Sequence, residues 1–95
     1  MNQVVLTACI AEASALRYTP AGLPALDFRL EHESQIEEAG QQRRVLAAVK
    51  AVAFGSLAET LVRQPIGSPW RFSGFLATPR NGKHPVLHIQ SFVAD

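Results

Sequence analysis

The chain has 95 residues, 47% of them hydrophobic, with nine Lys and Arg against eight Asp and Glu for a formal net charge of +1 at pH 7. That is enough material for one small domain, and too little net charge to argue nucleic-acid binding from composition, which only local clustering could support. A single cysteine, Cys9, excludes an intrachain disulfide framework and suits a reducing compartment; no apolar run is long enough for a membrane helix, and the N-terminus lacks the basic region of a secretory signal, so the cytoplasm is the expected location.

Residues 2–13 read as a strand. Val4, Leu6, Ala8 and Ile10 share one face, and Val5, Thr7, Cys9 and Ala11 share the other. Both faces are rather apolar, which fits either a second subunit on the outer face or a cover from within the monomer; the pattern does not separate the two. Leu16-Arg17-Tyr18-Thr19 leads into Pro20-Ala21-Gly22, a turn built from a fixed-φ residue and a permissive one. Ala25–Ser34 is a half-buried strand, with Leu26, Phe28 and Leu30 inward and Asp27, Arg29, Glu31 and Glu33 outward. Gln35–Gln42 is polar, carries Gly40 near its end, and reads as a mobile loop. Arg43-Arg44 opens the third strand, with Val45, Ala47 and Val49 on one face and Arg44, Leu46, Ala48 and Lys50 on the other.

A Gly55-Ser56 break follows Phe54. Ser56 and Glu59 have the spacing of a capping box, and Leu57, Leu61 and Val62 fall on one side of a helix of about ten residues. So short a helix does not stand alone, which predicts a lid packed on its flanking strands. Pro65 and Gly67 end it, and a fourth strand runs from Trp70 to Phe75 with Trp70 and Phe72 at core parity. Pro79–Pro85 contains Asn81-Gly82 and reads as a hairpin connection to the last strand, Val86–Val93. The order β-β-β-α-β-β over a single domain, residues 1–95, is that of a five-stranded Greek-key OB-fold barrel with one short helix between strands 3 and 4. Another five-stranded barrel or a small α+β sheet is the alternative.

Little in the chain supports catalysis. His84 and His88 are four apart, a metal spacing only on a helix, and Pro85 with the surrounding alternation places them on a turn and a strand. His32 reads as a solvated or edge histidine, Cys9 as a small hydrophobe, and Glu37-Glu38 as solvated. No nucleophile–base set and no phosphate-cradling glycine loop is present, so neither an enzyme nor a cofactor is expected. Binding finds more support. Arg17 lies in the first connection, Arg43, Arg44 and Lys50 on or beside the third strand, and Arg80, Lys83 and His84 in the last hairpin. An OB barrel borders one groove with its strand 2–3 face and the loops after strands 1 and 4, which would gather these cations into a trough tracking a single strand's phosphates. Singly, each is an ordinary surface charge; the expectation rests on their joint placement. Tyr18 is the one ring expected to be free for base stacking, because Phe28, Phe54, Phe75 and Phe92 read as core.

The run Phe28–Arg44 (FRLEHESQIEEAGQQRR) resembles the bacterial primosomal replication protein N family, PriB, through Leu30-Glu31-His32, Glu37-Glu38-Ala39-Gly40 and Arg43. Pro20–Gly22 followed by Pro24, Ser73-Gly74-Phe75, Asn81-Gly82 and Val86-Leu87-His88 extend the likeness over nearly the whole chain. Val52-Ala53-Phe54-Gly55 with Leu57-Ala58-Glu59 is similar to the strand–helix junction of single-stranded DNA-binding protein, a related family. The resemblance implies an OB-fold homodimer that binds single-stranded DNA and associates with the PriA helicase and DnaT while the replicative helicase is reloaded at stalled forks. By position it implies basic contacts at Arg17, Arg43, Arg80 and Lys83. The chain departs from the family at Gln41 and Leu46, where members can carry aromatics, at Glu33, which can be basic, and in a shorter last hairpin with fewer lysines. All four changes remove rings or positive charge, so DNA binding is expected to be weak and salt-sensitive, with protein contacts carrying more of the role. Two other functions fit the fold. A general single-strand coating protein usually runs past its barrel into an acidic-ended tail, whereas this chain stops at Asp95. The other is a barrel that binds only proteins.

Overall fold

In the computed structural model, which covers residues 1–95, the elements run β1 (Val4–Ala13), β2 (Arg17–Tyr18), β3 (Pro24–Glu38), β4 (Gln41–Phe54), α1 (Ser56–Leu61), β5 (Pro69–Ala77) and β6 (Val86–Val93). β1 closes the structure on itself. One of its edges pairs with β5 over Val4–Cys9, and the other pairs with β3 over Cys9–Ala13. A register shift between Ile10 and Glu12 accompanies the change of partner. The sheet order β1-β5-β6-β4-β3 thus returns to β1, with β4 and β6 parallel at Ala51–Leu87 and Val52–His88. The result is the expected closed five-stranded OB-fold barrel with one helix; β2 is a two-residue addition paired to Pro24 and Ala25.

The alternation seen in the sequence fills this barrel. Ala8 and Ile10 of β1, Leu26, Phe28 and Leu30 of β3, Ala51 and Ala53 of β4, Phe72 of β5, and Leu87 and Ile89 of β6 point inward and are buried. α1 contributes Ala58 and Leu61 to the same cluster, with Leu57 and Val62 packed against it. Phe72 is fully buried, its ring 6.2 Å from both Phe28 and Phe92. Phe92 reaches the interior because the β5–β6 register shifts between Ser73 and Gly74, leaving Gln90 as the extra residue of a bulge. Its ring then meets Trp70 edge-on at 5.0 Å.

Four local expectations are corrected. The stretch 35–42 is not a loop. β3 and β4 stay paired to Glu38–Gln41 around a two-residue turn, Ala39 (φ 51°) and Gly40 (φ 79°), and both positive φ values match the twist of the strands. Its backbone is paired across the hairpin, which projects as an arm and contributes to a molecule extending 50 × 29 × 21 Å. The helix is shorter than expected, and no side chain caps it. Gly55, at φ 73°, turns the chain out of β4 and donates its N–H to the Pro24 carbonyl at 2.8 Å. Gly55 thus takes the N-cap position and Ser56 the first helical one, so Ser56 and Glu59 sit one place too late for a capping box. In the last hairpin, Asn81-Gly82 is not the centre of a tight turn. Arg80 and Asn81 occupy the corner and the Gly82 N–H closes it on the Pro79 carbonyl at 3.0 Å. Finally, Phe54 and Phe75 are not core residues but lie on the outside of the barrel, as described below.

His32 is better anchored than an edge histidine. Where β1 leaves β3 for β5, its Nδ1–H donates to the Thr7 carbonyl at 2.6 Å, and Nε2 lies 2.8 Å from the Ser34 hydroxyl. The ring stands in for the ladder bonds that end at Cys9–Glu31.

Candidate nucleic-acid interface

Register places the outward residues of β3, β4, β6 and β5 in rows across the barrel. Arg29 faces Lys50, and Asp27 faces Val52; Val52 pairs with His88, which pairs with Phe75. Lys50 and Val86, each two residues before the Val52–His88 pair, line one groove with Glu12, Asp27 and Arg29. The chain from Ala77 to Val86, carrying Arg80, Lys83 and His84, meets that groove at Val86, and all three of these side chains are exposed. Beyond it lies a ring cluster. The His88 imidazole stacks on Phe75 with centroids 4.8 Å apart and an interplanar angle of 17°, and Phe54 flanks it at 5.9 Å. Phe54 is 38% exposed. An apolar run with both parities hydrophobic, Val52-Ala53-Phe54, hid this outward ring in the sequence; the partner strand Val86–Gln90, where His88 alternates outward, is the signal that could have found it.

The cations divide into two groups. Arg17 donates from Nε and Nη2 to both Asp27 oxygens, at 2.6 and 3.1 Å, and this hydrogen bonding, above all, raises its pKa further. Arg44 grips Glu33 in the same bidentate way, at 3.0 and 3.2 Å. Arg43 is hydrogen-bonded to Glu38. Arg29 lies between Glu12 (3.7 Å) and Glu31 (3.5 Å) without a hydrogen bond to either. Lys50, Arg63, Arg71, Arg80 and Lys83 make no ion pair within the chain.

Of the residues expected at the site, Lys50 lines the groove, and Arg80, Lys83 and His84 are exposed on the connection that enters it at Val86. Arg17 and Tyr18 lie on β2 next to β3, with Tyr18 66% exposed as expected. Arg43 and Arg44 do not join the groove. Arg43 is seven residue pairs from Lys50, roughly 23 Å along a strand, and its odd position sends it to the opposite face of the arm. Arg44 shares the face of Lys50 but is clamped to Glu33. Sequence reasoning missed Arg29 as a groove residue, because its surroundings depend on Glu12 arriving from the far end of β1.

Arg44 hydrogen-bonds Glu33 and, with its charge, holds that carboxyl below the usual carboxylate range. A carboxyl with a lowered folded pKa favours folding above its unfolded value, and that contribution is lost as pH falls through the lowered folded value. Arg44→Ala should therefore raise the Glu33 titration midpoint followed by side-chain carbonyl NMR. An unmoved midpoint would mean that the pair does not persist in solution.

A closed barrel of this topology, with Arg29 and Lys50 in a groove that adjoins outward rings, defines an OB-fold of the single-strand binding type. The family model described as "Another single-strand binding protein family" matches residues 2–91. The replication restart protein PriB of Bordetella pertussis is 47% identical over 91 residues, covering 95% of this chain and 85% of that protein. That of Neisseria gonorrhoeae is 43% identical over 91 residues, covering 95% and 90%. The structure of PriB from Ralstonia solanacearum superposes with a TM-score of 0.89 at 34% identity, covering 99% of this chain and 97% of that one. The single-stranded DNA binding protein of Thermus aquaticus, a deletion mutant, superposes at 0.78 with 25% identity over 98% of this chain and 49% of that one. The chain belongs to the replication restart protein PriB family.

Proposed function

We propose that this protein is a single-stranded DNA-binding accessory factor of the replication-restart primosome. In this reading it acts in the cytoplasm without catalysis and holds DNA beside the PriA helicase and DnaT while the replicative helicase is reloaded. The observation that supports the DNA-binding reading is a groove lined by Arg29 and Lys50 that adjoins, through Val86, the outward rings of His88, Phe75 and Phe54. Lys50, Arg80, Lys83 and His84 follow the phosphates, and Phe54, His88 and Phe75, with Tyr18 nearby, supply stacking surfaces. Arg17, Arg43 and Arg44 reach a phosphate only by giving up a carboxylate, which keeps binding weak and makes it sensitive to salt. Membership of the PriB family supports the primosomal partners.

A homodimer is part of the same reading. On the side that faces β3 further along, β1 has no strand partner from Val4 to Ala8, and Val5 is 58% exposed there. An unpaired edge with an apolar outer face is a template for a second copy. Sedimentation should give a dimer at micromolar concentration, and a monomer there would remove this element.

The decisive experiment is fluorescence anisotropy of a labelled single-stranded oligonucleotide at two salt concentrations. Anisotropy should rise with protein at low salt and fall back as salt increases. No rise at tens of micromolar protein would leave a barrel that binds only proteins.

A further inference from the structure

We propose that Arg29 and Lys50 form a phosphodiester subsite in the groove at the end of β1, with Glu12 and Glu31 as built-in competitors for Arg29; this rests on the single-strand reading above. Four arginines sit beside carboxylates, and they are not equivalent. Arg17 and Arg44 make bidentate hydrogen-bonded pairs and Arg43 a direct one, so a phosphate must break good bonds to claim them. Arg29 has only loose contacts, Nε to Glu12 at 3.7 Å and Nη2 to Glu31 at 3.5 Å. Its Nε is buried and has no hydrogen-bond partner, the one side-chain polar atom in the protein in that condition. A buried donor without an acceptor is costly, so Arg29 is settled less firmly than the other three, and its side chain, 42% exposed, leaves the rest of the guanidinium within reach of a phosphate oxygen.

Lys50 stands directly across the ladder from Arg29 and has no carboxylate of its own. The remaining charged residue lining the groove, Asp27, is occupied by Arg17 and does not compete for Lys50 through a direct pair. Two cations side by side, one unpaired and one weakly held, suit one dianionic stretch of sugar-phosphate backbone. The groove continues through Val86 towards the His88 ring cluster, so a strand held here has its bases delivered to the rings.

The test is binding of labelled oligo-dT by the full chain at low salt and over a salt series. Arg29→Met with Lys50→Met should weaken binding by about tenfold or more and flatten the salt slope by about 1.4, two phosphate contacts at roughly 0.7 each. Glu12→Gln should do the reverse and tighten binding several-fold, because it removes a competitor. Arg63→Met removes the same charge from the turn after α1 and should change affinity less than twofold. Opposite effects of the arginine and glutamate variants support the subsite. Weakening by both would make the pair merely structural and overturn it. Unchanged affinity in both, with wild-type binding intact, overturns it while the broader reading stands. An absence of wild-type binding overturns the two together. Lys50→Met alone, which breaks no ion pair, decides the slope should Arg29→Met melt early.

Discussion

Gly74→Ala should destabilise the barrel by about 3 kcal/mol, the upper part of the range for overpacking, and lower the thermal midpoint by roughly 12–24 °C in a chain of this size. A Cβ built on Gly74 would lie 1.8 Å from the His88 carbonyl oxygen, 2.8 Å from its carbon and 3.2 Å from the Ile89 Cα. All three are backbone atoms of the paired strand, so no side chain can swing aside. The β5–β6 ladder must open by more than an ångström at the site of the bulge that turns Phe92 into the core. A circular dichroism melt measures the effect. Gly82→Ala is the matched comparison, because its Cβ would meet only Pro79 side-chain atoms, at 3.2 Å and beyond, and should melt close to wild type. A Gly74→Ala midpoint within about 4 °C of wild type, less than 1 kcal/mol, would show that the two strands separate there at little cost.

Removing the outer rings should reach function instead. Phe54→Ala with Phe75→Ala is expected to reduce affinity for single-stranded DNA by one to three orders of magnitude, since base stacking on a ring is worth about 1–3 kcal/mol per base. Both side chains stand on the outside of the barrel, with Phe54 in the exposed class and Phe75 half-buried, so the fold should tolerate their truncation better than that of Phe72. The salt slope separates this effect from loss of cations. Rings contact bases, so the slope of affinity against salt should stay at the wild-type value while the affinity drops. Unchanged affinity in an anisotropy titration would place the strand away from the β4–β6–β5 face.

The barrel itself was readable because three strands alternate cleanly. Ala8 and Ile10, Leu26 to Leu30, and the Val45-Ala47-Val49 parity of β4 all keep the faces that simple alternation assigns. Where the pattern was ambiguous, physical context settled it. The 35–42 stretch looks like a loop by composition, yet its backbone stays in the ladder across the arm as far as Glu38–Gln41. Ser56 and Glu59 have the spacing of a cap, but the turn at Gly55 starts the helix one residue earlier and leaves Ser56 inside it. The site was less legible than the fold. Lys50 was expected from its type and the topology and lines the groove, whereas the hold of carboxylates on Arg17, Arg43 and Arg44 depends on cross-strand register that a single sequence does not display. The outward rings of Phe54 and Phe75 were hidden because a phenylalanine in an apolar strand reads as core whichever way it points.

The contact between His32 and Thr7 has a mechanical consequence. Beyond Cys9–Glu31 no ladder bond joins the arm to β1, so the ring of His32 acts as a stay at the hinge from which the arm would otherwise swing. The carbonyl of Thr7 only accepts, which fixes a proton on Nδ1. The hydroxyl of Ser34 meets the other ring nitrogen, Nε2, from the arm itself. The ring is thereby braced from both sides, and the direction in which the lever's tip points is set at its root.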